Sequence, residues 1–315
     1  MKGLTDIPGI HVGHVSDFDA ITGCTAILCE QGAVAGVDIR GSASGATEIE
    51  TLDPGHVTPQ IHGIVLAGGS AFGLEAASGV RRCLEHRGVG FDTGAARVPI
   101  VPAAILYDLG IGKAGVRPDL AMGEAAVNAA SDAPVSEGCV GAGTGATVGK
   151  ILGMKQAMKS GVGSYTVELP SGVLVAVLAA VNAFGDVRDP ATGKIVAGAR
   201  TTPDSCEFAD TEQVMRARPP RGFGVRNTTL AVVATNAALT KMQARKMAQM
   251  ASLALARTIY PVNTMFDGDT VFALSIGGHA ADINVLGSAA AEALSAAILR
   301  AVRLAKSMGG VPGLA

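Results

Sequence analysis

Four stretches of this 315-residue chain carry side chains whose types and spacing could do chemistry. The first is RNTTLAVVATN (226–236), where a polar stretch ends abruptly and two hydroxyl residues, Thr228 and Thr229, open an apolar run. On pattern alone this is first of all a loop-to-strand junction, because β-branched residues favour strands. A threonine hydroxyl becomes a nucleophile only when a base takes its proton. The second is DGD (267–269), two carboxylates on a tight turn. A calcium loop needs more oxygen ligands at fixed spacing, and a turn presenting carboxylates to hydroxyl or ammonium groups fits equally well. The third is GAGTGATVGK (141–150), ending in Lys150. It is not a phosphate loop: that pattern needs glycine at 144 and a hydroxyl residue at 151, where the chain has Thr144 and Ile151. A cation held after a glycine-rich turn is what remains. The fourth, GGSAFG (68–73), has Phe72 where a nucleophile elbow needs its second glycine, so Ser70 reads as part of a strand-to-helix turn. His11 and His14 are spaced HxxH without an evident third ligand, and packing or surface roles suit them better than a metal.

Regular elements must position these groups. TAILCE (25–30) and AVAGVDI (33–39) alternate like strands. HGIVLAGG (62–69) is a strand running into a turn. In the stretch that follows, Leu74, Ala77 and Val80 share one face of a helix, with Arg81, Arg82 and Glu85 near the other. Residues 122–131 form a second helix candidate. VLVAVLAAVNAFG (173–185) is a strongly apolar strand candidate that pattern alone does not separate from a buried helix. Residues 186–226, with Asp-Pro, Thr-Gly and Arg-Pro-Pro, read as a long loop or linker, and such loops are usually functional or disordered. Beyond them come a strand at 228–235, a helix at 240–257, a turn and strand at 267–277 and a closing helix at 288–306. No internal repeat is present. The mixture fits an α/β or α+β layered protein.

Composition narrows the classes. Hydrophobic residues make up 48% and charged residues 17% of the chain, a globular balance. With a formal charge of -2, scattered basic residues and only 3% aromatics, there is no electrostatic or stacking footprint for nucleic acid and none for an anionic membrane. The longest apolar run, 173–181, is too short for a bilayer. The N-terminus lacks a signal peptide's apolar region. Five scattered cysteines without a CxxC pair read as reduced thiols of a cytoplasmic protein, not as a disulfide framework or zinc site.

RNTTLAVVATN and NTMFDGDTVFAL (263–274) together resemble the two signature blocks of the P1 peptidase family: L-aminopeptidase/D-amino-acid esterases, β-peptidyl aminopeptidases and nylon-oligomer endo-hydrolases. TDIPGIHVGHVSD, GIVLAGGSAFGLEAASGV, VPAAILYDLG, GAGTGATVGK and VNAFGDV extend the likeness, in order, along nearly the whole chain. The resemblance implies one catalytic domain over 1–315 with an αββα sandwich fold, layered like Ntn hydrolases but differently connected. It implies self-cleavage between Asn227 and Thr228 into an α piece, 1–227, and a β piece, 228–315, with Thr228 as nucleophile. Tyr107 and Asn182 match groups that polarise the scissile carbonyl. Lys150 matches a lysine near the nucleophile, and Asp267 and Asp269 match the acidic pair. The family often has His where this chain has Asn263.

The chemistry so implied is coherent. Once freed, the α-amine of Thr228 has an ordinary pKa of about 7.7–8.0 and can act as base for its own hydroxyl. A nearby Lys150 ammonium would lower that pKa, and the acidic pair could orient the amine or bind Lys150. The expected activity is amide hydrolysis through an acyl-threonine, as an aminopeptidase on peptides, amides or esters, with no cofactor and no metal. Endo-amidase action of the nylon-oligomer type and acyl transfer of the ornithine acetyltransferase type use the same intermediate. A non-catalytic binding protein is the reading from another class, and failure to self-cleave would favour it. A homo-oligomer, a tetramer or larger, is also expected from the family.

Overall fold

The computed structural model describes residues 3–217 and 227–315. Its principal strands are β1 (His11–Asp17), β2 (Thr22–Ile39), β3 (Ile61–Ala67), β4 (Ala103–Ile105), β5 (Val162–Leu169), β6 (Val173–Asn182), β7 (Thr228–Ala237) and β8 (Thr270–His279). The helices are α1 (Ala76–His86), α2 (Leu120–Asn128), α3 (Thr211–Ala217), α4 (Lys241–Ala251), α5 (Leu253–Thr258) and α6 (Ile283–Arg303). Hydrogen bonding runs in the order β5-β6-β7-β8-β2-β3-β4, with β1 on β2. β7 pairs parallel with β8, and β3 parallel with β4. The other neighbours in this order are antiparallel.

This path doubles back on itself, and the alternation of side chains shows where. Side chains of successive strand residues point to opposite faces. Ala176, Leu178 and Ala180 of β6, Leu230 and Val232 of β7 and Phe272 of β8 share one core with Ile27 of β2 and Ile64 and Leu66 of β3. That is the space between two sheet layers. Intervening residues Val175, Val177, Val233 and Val271 face α4, α5 and α6. Ala26, Leu28 and Val65 face α1 and α2. The layers are therefore helix, sheet, sheet, helix, with the long β2 shared between the sheets. A sheet buried on both faces explains why 173–181 is continuously apolar, since no face needs polar residues.

Gly163 of β5 shows how tightly the outer helix seats: a methyl there would stand 2.0 Å from the Ala297 carbonyl oxygen of α6. α6 has 21 residues and a mean hydropathy of 1.5, long and apolar enough to cross a membrane, but 61% of that apolar window is buried inside the fold.

Two expectations need correction. Residues 186–226 are not a plain linker in their described part. Asp186–Arg188 and Ile195–Ala197 pair as strands, Asp186–Arg188 also pairs with Ile259–Tyr260, and α3 follows. The buried Asp186 carboxylate organises this segment by accepting from Ala199 N (2.8 Å), Thr211 N (2.6 Å) and Thr211 Oγ1 (2.6 Å). The remainder of the expected linker, 218–226, lies outside the described residues. The closing helix begins at Ile283 rather than 288 because the Asp282 side chain caps it, accepting from Asn284 N and Val285 N.

Candidate active site

Three strand termini meet at one end of the layer formed by β6, β7 and β8. β6 ends at Asn182, directly opposite Thr228 in the antiparallel register. β8 runs parallel to β7, so the residues just before it lie beside the start of β7, and Asn227 bridges to Asp267. This topology brings Asn182, the Asn227–Thr228 junction, Asp267 and Asp269 together. All are buried; Thr228 is 3% exposed.

Lys150 arrives from the glycine-rich loop. Gly149 N donates to Gly185 O (3.0 Å) and Lys150 N to Phe184 O (3.1 Å), which lays the loop over the residues following β6. Gly149 has a φ of +69° and sits so close that a methyl there would lie 2.0 Å from Ala199 N; only glycine meets both demands. The ammonium is thus delivered to Asn182, donating to its main-chain oxygen (3.1 Å) and to Oδ1 (2.7 Å). Asn182 Oδ1 also accepts from Thr147 N (3.0 Å), and Nδ2 donates to Tyr107 O (3.0 Å). Tyr107 is therefore tied to the site through its main-chain carbonyl. One Asn182 amide hydrogen is left for another acceptor.

The two carboxylates fix backbone. Asp269 accepts from Thr229 N (2.7 Å) and Asn263 N (3.1 Å). Asp267 accepts from Phe184 N (3.3 Å), Thr264 N (3.0 Å) and Thr264 Oγ1 (2.6 Å). Neither forms an ion pair with Lys150 among the described residues; the charges act through space. Burial pushes the Lys150 pKa down to about 7, against the opposing pull of Asp267. Burial raises both carboxyls, and the Asp267 charge raises Asp269 further. The junction itself is closed: Thr228 Oγ1 donates to the Asn227 carbonyl oxygen at 2.6 Å. Five of the six residues singled out from the sequence meet here through their side chains, and Tyr107 through its main-chain carbonyl.

Sequence reasoning missed several participants. Thr264 stands three residues before Asp267, a spacing that suits a hydroxyl-to-carboxylate contact and could have revealed it. Lys159 gave no signal. It is fully buried and donates to Ala146 O (2.8 Å), Ser160 O (2.9 Å) and Gly143 O (3.4 Å), pinning the loop that carries Thr147 and Lys150. Burial lowers its pKa to about 8.

The other motifs follow their structural readings. Ser70 has a φ of 56° and opens a short 3-10 turn into α1. His14 is half-buried, with Nδ1 2.9 Å from Thr25 Oγ1, and desolvation of its ring lowers its pKa to about 4. Among the described residues no group of three or more His, Cys, Asp or Glu is placed to hold a metal ion.

The arrangement has recognisable relatives. The chain is 39% identical to an uncharacterized aminopeptidase of Mycobacterium bovis, over 99% of this chain and 96% of the relative. It is 31% identical to a 6-aminohexanoate-oligomer endohydrolase of Kocuria sp., over 95% of this chain and 85% of that one. In fold it resembles the β-aminopeptidase of Burkholderia sp. (TM-score 0.71, 23% identity, 100% of this chain and 91% of the other). It also resembles the L-aminopeptidase D-Ala-esterase/amidase of Ochrobactrum anthropi, described as a variant of the Ntn hydrolase fold (TM-score 0.72, 20% identity, 99% and 88%). The αββα expectation therefore stands, and with residues 2–315 matching peptidase family S58, the chain belongs to that family of hydrolases.

Proposed function

We propose that this protein is a self-processing N-terminal-nucleophile hydrolase that cleaves its own Asn227–Thr228 bond and then uses Thr228 to release N-terminal residues from peptides, amides or esters. The observation that carries this reading is the Thr228 hydroxyl seated 2.6 Å from the oxygen of the carbonyl it would attack, at a buried strand start ringed by Lys150, Asn182, Asp267 and Asp269. Among the relatives named above, the Mycobacterium bovis protein, described as an aminopeptidase, supports the exo-acting form.

The intact chain has no amine at Thr228, so self-cleavage needs another base. Lys150, held on the residue opposite Thr228, has its pKa brought to about 7 by burial and is partly neutral near neutral pH. Proton transfer is efficient when the base's pKa lies near the working pH. The hydroxyl oxygen bonds to the Asn227 carbonyl carbon, the C–N bond breaks, the nitrogen takes a proton, and water hydrolyses the resulting ester. The freed amine then serves as base for substrate, with the second Asn182 amide hydrogen available to the reacting carbonyl. Likeness to the 6-aminohexanoate-oligomer endohydrolase favours, as a second reading, endo-cleavage of linear amides by the same intermediate. We further infer a cytoplasmic homo-oligomer; the five cysteines are all free, three of them buried.

Mass spectrometry of purified protein and of Thr228→Ala tests the reading. The native chain should yield 1–227 and 228–315. Thr228→Ala should stay whole and inert toward aminoacyl p-nitroanilides, and Thr228→Ser should retain some cleavage. An alanine variant that is cut and active at the native rate would remove Thr228 from the mechanism.

A further inference from the structure

The Asn227 carbonyl oxygen accepts a second hydrogen bond, from the main-chain N–H of Gly268 at 2.7 Å. Resting on the reading that Thr228 attacks this carbonyl, we propose that the Gly268 N–H is the oxyanion donor for self-cleavage, holding the oxygen on which negative charge develops as Thr228 Oγ bonds to the carbon. The electron pair of the C=O bond moves onto that oxygen, the hydroxyl proton passes to the base, and collapse expels the Thr228 nitrogen.

Three features support this assignment. First, the donor is rigid. On one side of segment 267–269, Ala43 N donates to Asp267 O (2.8 Å) and Arg40 N to Asp269 O (3.1 Å). On the other, Asn227 N donates to Phe266 O (2.9 Å), and the Gly268 carbonyl accepts from Thr270 Oγ1 (3.0 Å). The Gly268 peptide cannot turn away when charge appears, and a donor fixed in advance spends nothing on reorganisation. Second, the position is built around the nucleophile. A methyl on Gly268 would stand 2.8 Å from Thr228 Oγ1, 2.7 Å from Ala43 O and 2.9 Å from Ser44 Cα. The absence of a side chain leaves room for the hydroxyl to move. Third, the surroundings are dry, since Asn227 is fully buried and Asp267 and Asp269 are each 1% exposed. A hydrogen bond to developing charge is stronger there than in water. This also gives the DGD turn a division of labour: its carboxylates fix backbone and its central amide faces the reacting oxygen.

The competing account is that this bond is only a rung of the Asn227–Asp267 bridge. Replacing Gly268 by glycolic acid separates the two, because it changes one N–H to an ester oxygen and leaves shape intact. Self-cleavage of the full chain is followed by mass spectrometry. The donor role requires a slowing of about 100- to 1,000-fold, the usual effect of losing one oxyanion donor, while the same replacement in Thr228→Ala leaves the melting temperature within a few degrees. Cleavage within threefold of native overturns the assignment. If the ester chain does not fold, through-hydrogen-bond NMR coupling between Gly268 15N and Asn227 13C′ in the Thr228→Ala chain decides instead: a coupling larger than those of the neighbouring Asn227 N–Phe266 O and Ala43 N–Asp267 O rungs supports the donor, and one no larger than theirs, or absent, refutes it. The Thr228 reading fails separately, by cleavage of Thr228→Ala. An inert Thr228→Ala beside a rapidly cut ester chain would sink only the Gly268 assignment.

Discussion

Replacing Lys150 by methionine should make the fold more stable while impairing self-cleavage. The ammonium is buried, and its pKa falls from 10.5 to about 7. A fall of roughly three and a half pH units costs the folded state about 5 kcal/mol when the group is charged in both states, at about 1.36 kcal/mol per unit. The sign follows from linkage. Between about pH 7 and 10.5 the unfolded chain holds a proton that the folded chain has released, so stability rises with pH across that window. Methionine removes the cost. It also removes two hydrogen bonds to Asn182, at 3.1 and 2.7 Å, a loss of about 1–3 kcal/mol, and Thr147 N still serves Asn182 Oδ1. Burial therefore wins, by about 2 kcal/mol at pH 7. At about 2.1 cal/mol/K of unfolding entropy per residue, 315 residues convert this to a rise of about 3 °C. The comparison is Thr228→Ala against Thr228→Ala/Lys150→Met, which keeps both chains uncut, melted at pH 7 and pH 10. The advantage should shrink as pH rises. In the Thr228 background, native self-cleavage should accelerate with pH through about 7 as Lys150 loses its proton, and Lys150→Met should cut slowly without that limb. A double variant that melts below its parent at pH 7, or by the same offset at both pH values, would refute the burial argument.

Other outcomes are expected. Asp186→Ala leaves three buried donors, Ala199 N, Thr211 N and Thr211 Oγ1, without their acceptor and should cost about 3–5 kcal/mol in urea unfolding of the uncut chain; a loss under 1 kcal/mol would show that the 186–211 segment is held by other contacts. After cleavage, 1–227 and 228–315 should co-elute in size exclusion without denaturant, and separate elution would contradict the interleaved sheet. Because the proposed base is an amine, EDTA should leave aminopeptidase activity unchanged, and a loss restored by zinc or manganese would force a new account of Asp267 and Asp269.

How much of this was legible in the sequence depended on how local the cause was. The apolar runs of β6 and β7 were readable because burial on both faces is written into consecutive residues. The hydroxyl pair at Thr228 and Thr229 was readable because the polar-to-apolar switch is sharp. The turn at Ser70 was readable from its glycines. What escaped depends on partners distant in sequence. Asp186 looks like any loop aspartate until Thr211, 25 positions away, is folded onto it. Lys159 looks like a surface lysine until its three carbonyl acceptors surround it. The pKa of Lys150 was not legible for the same reason. From the motif it was a fixed cation, whereas burial brings it to about 7 and gives it the capacity to accept a proton.

The topology explains how a chain cut between Asn227 and Thr228, as proposed, would keep its site. In the order β5-β6-β7-β8-β2, β7 and β8 belong to the piece after Thr228, and β6 and β2 on either side belong to the piece before it. The later piece is therefore a two-strand insert hydrogen-bonded along both edges, β7 to β6 and β8 to β2. Its helix α6 lies across β5 and β6 of the earlier piece, with Gly163 against Ala297. Neither piece can leave without tearing two ladders and exposing the shared core. The proposed catalytic groups are divided in the same way: Lys150, Asn182 and Tyr107 before the bond, Thr228, Asp267 and Asp269 after it. Cutting between Asn227 and Thr228 would free an amine at the centre of the site while the surrounding ladders keep every other group in register.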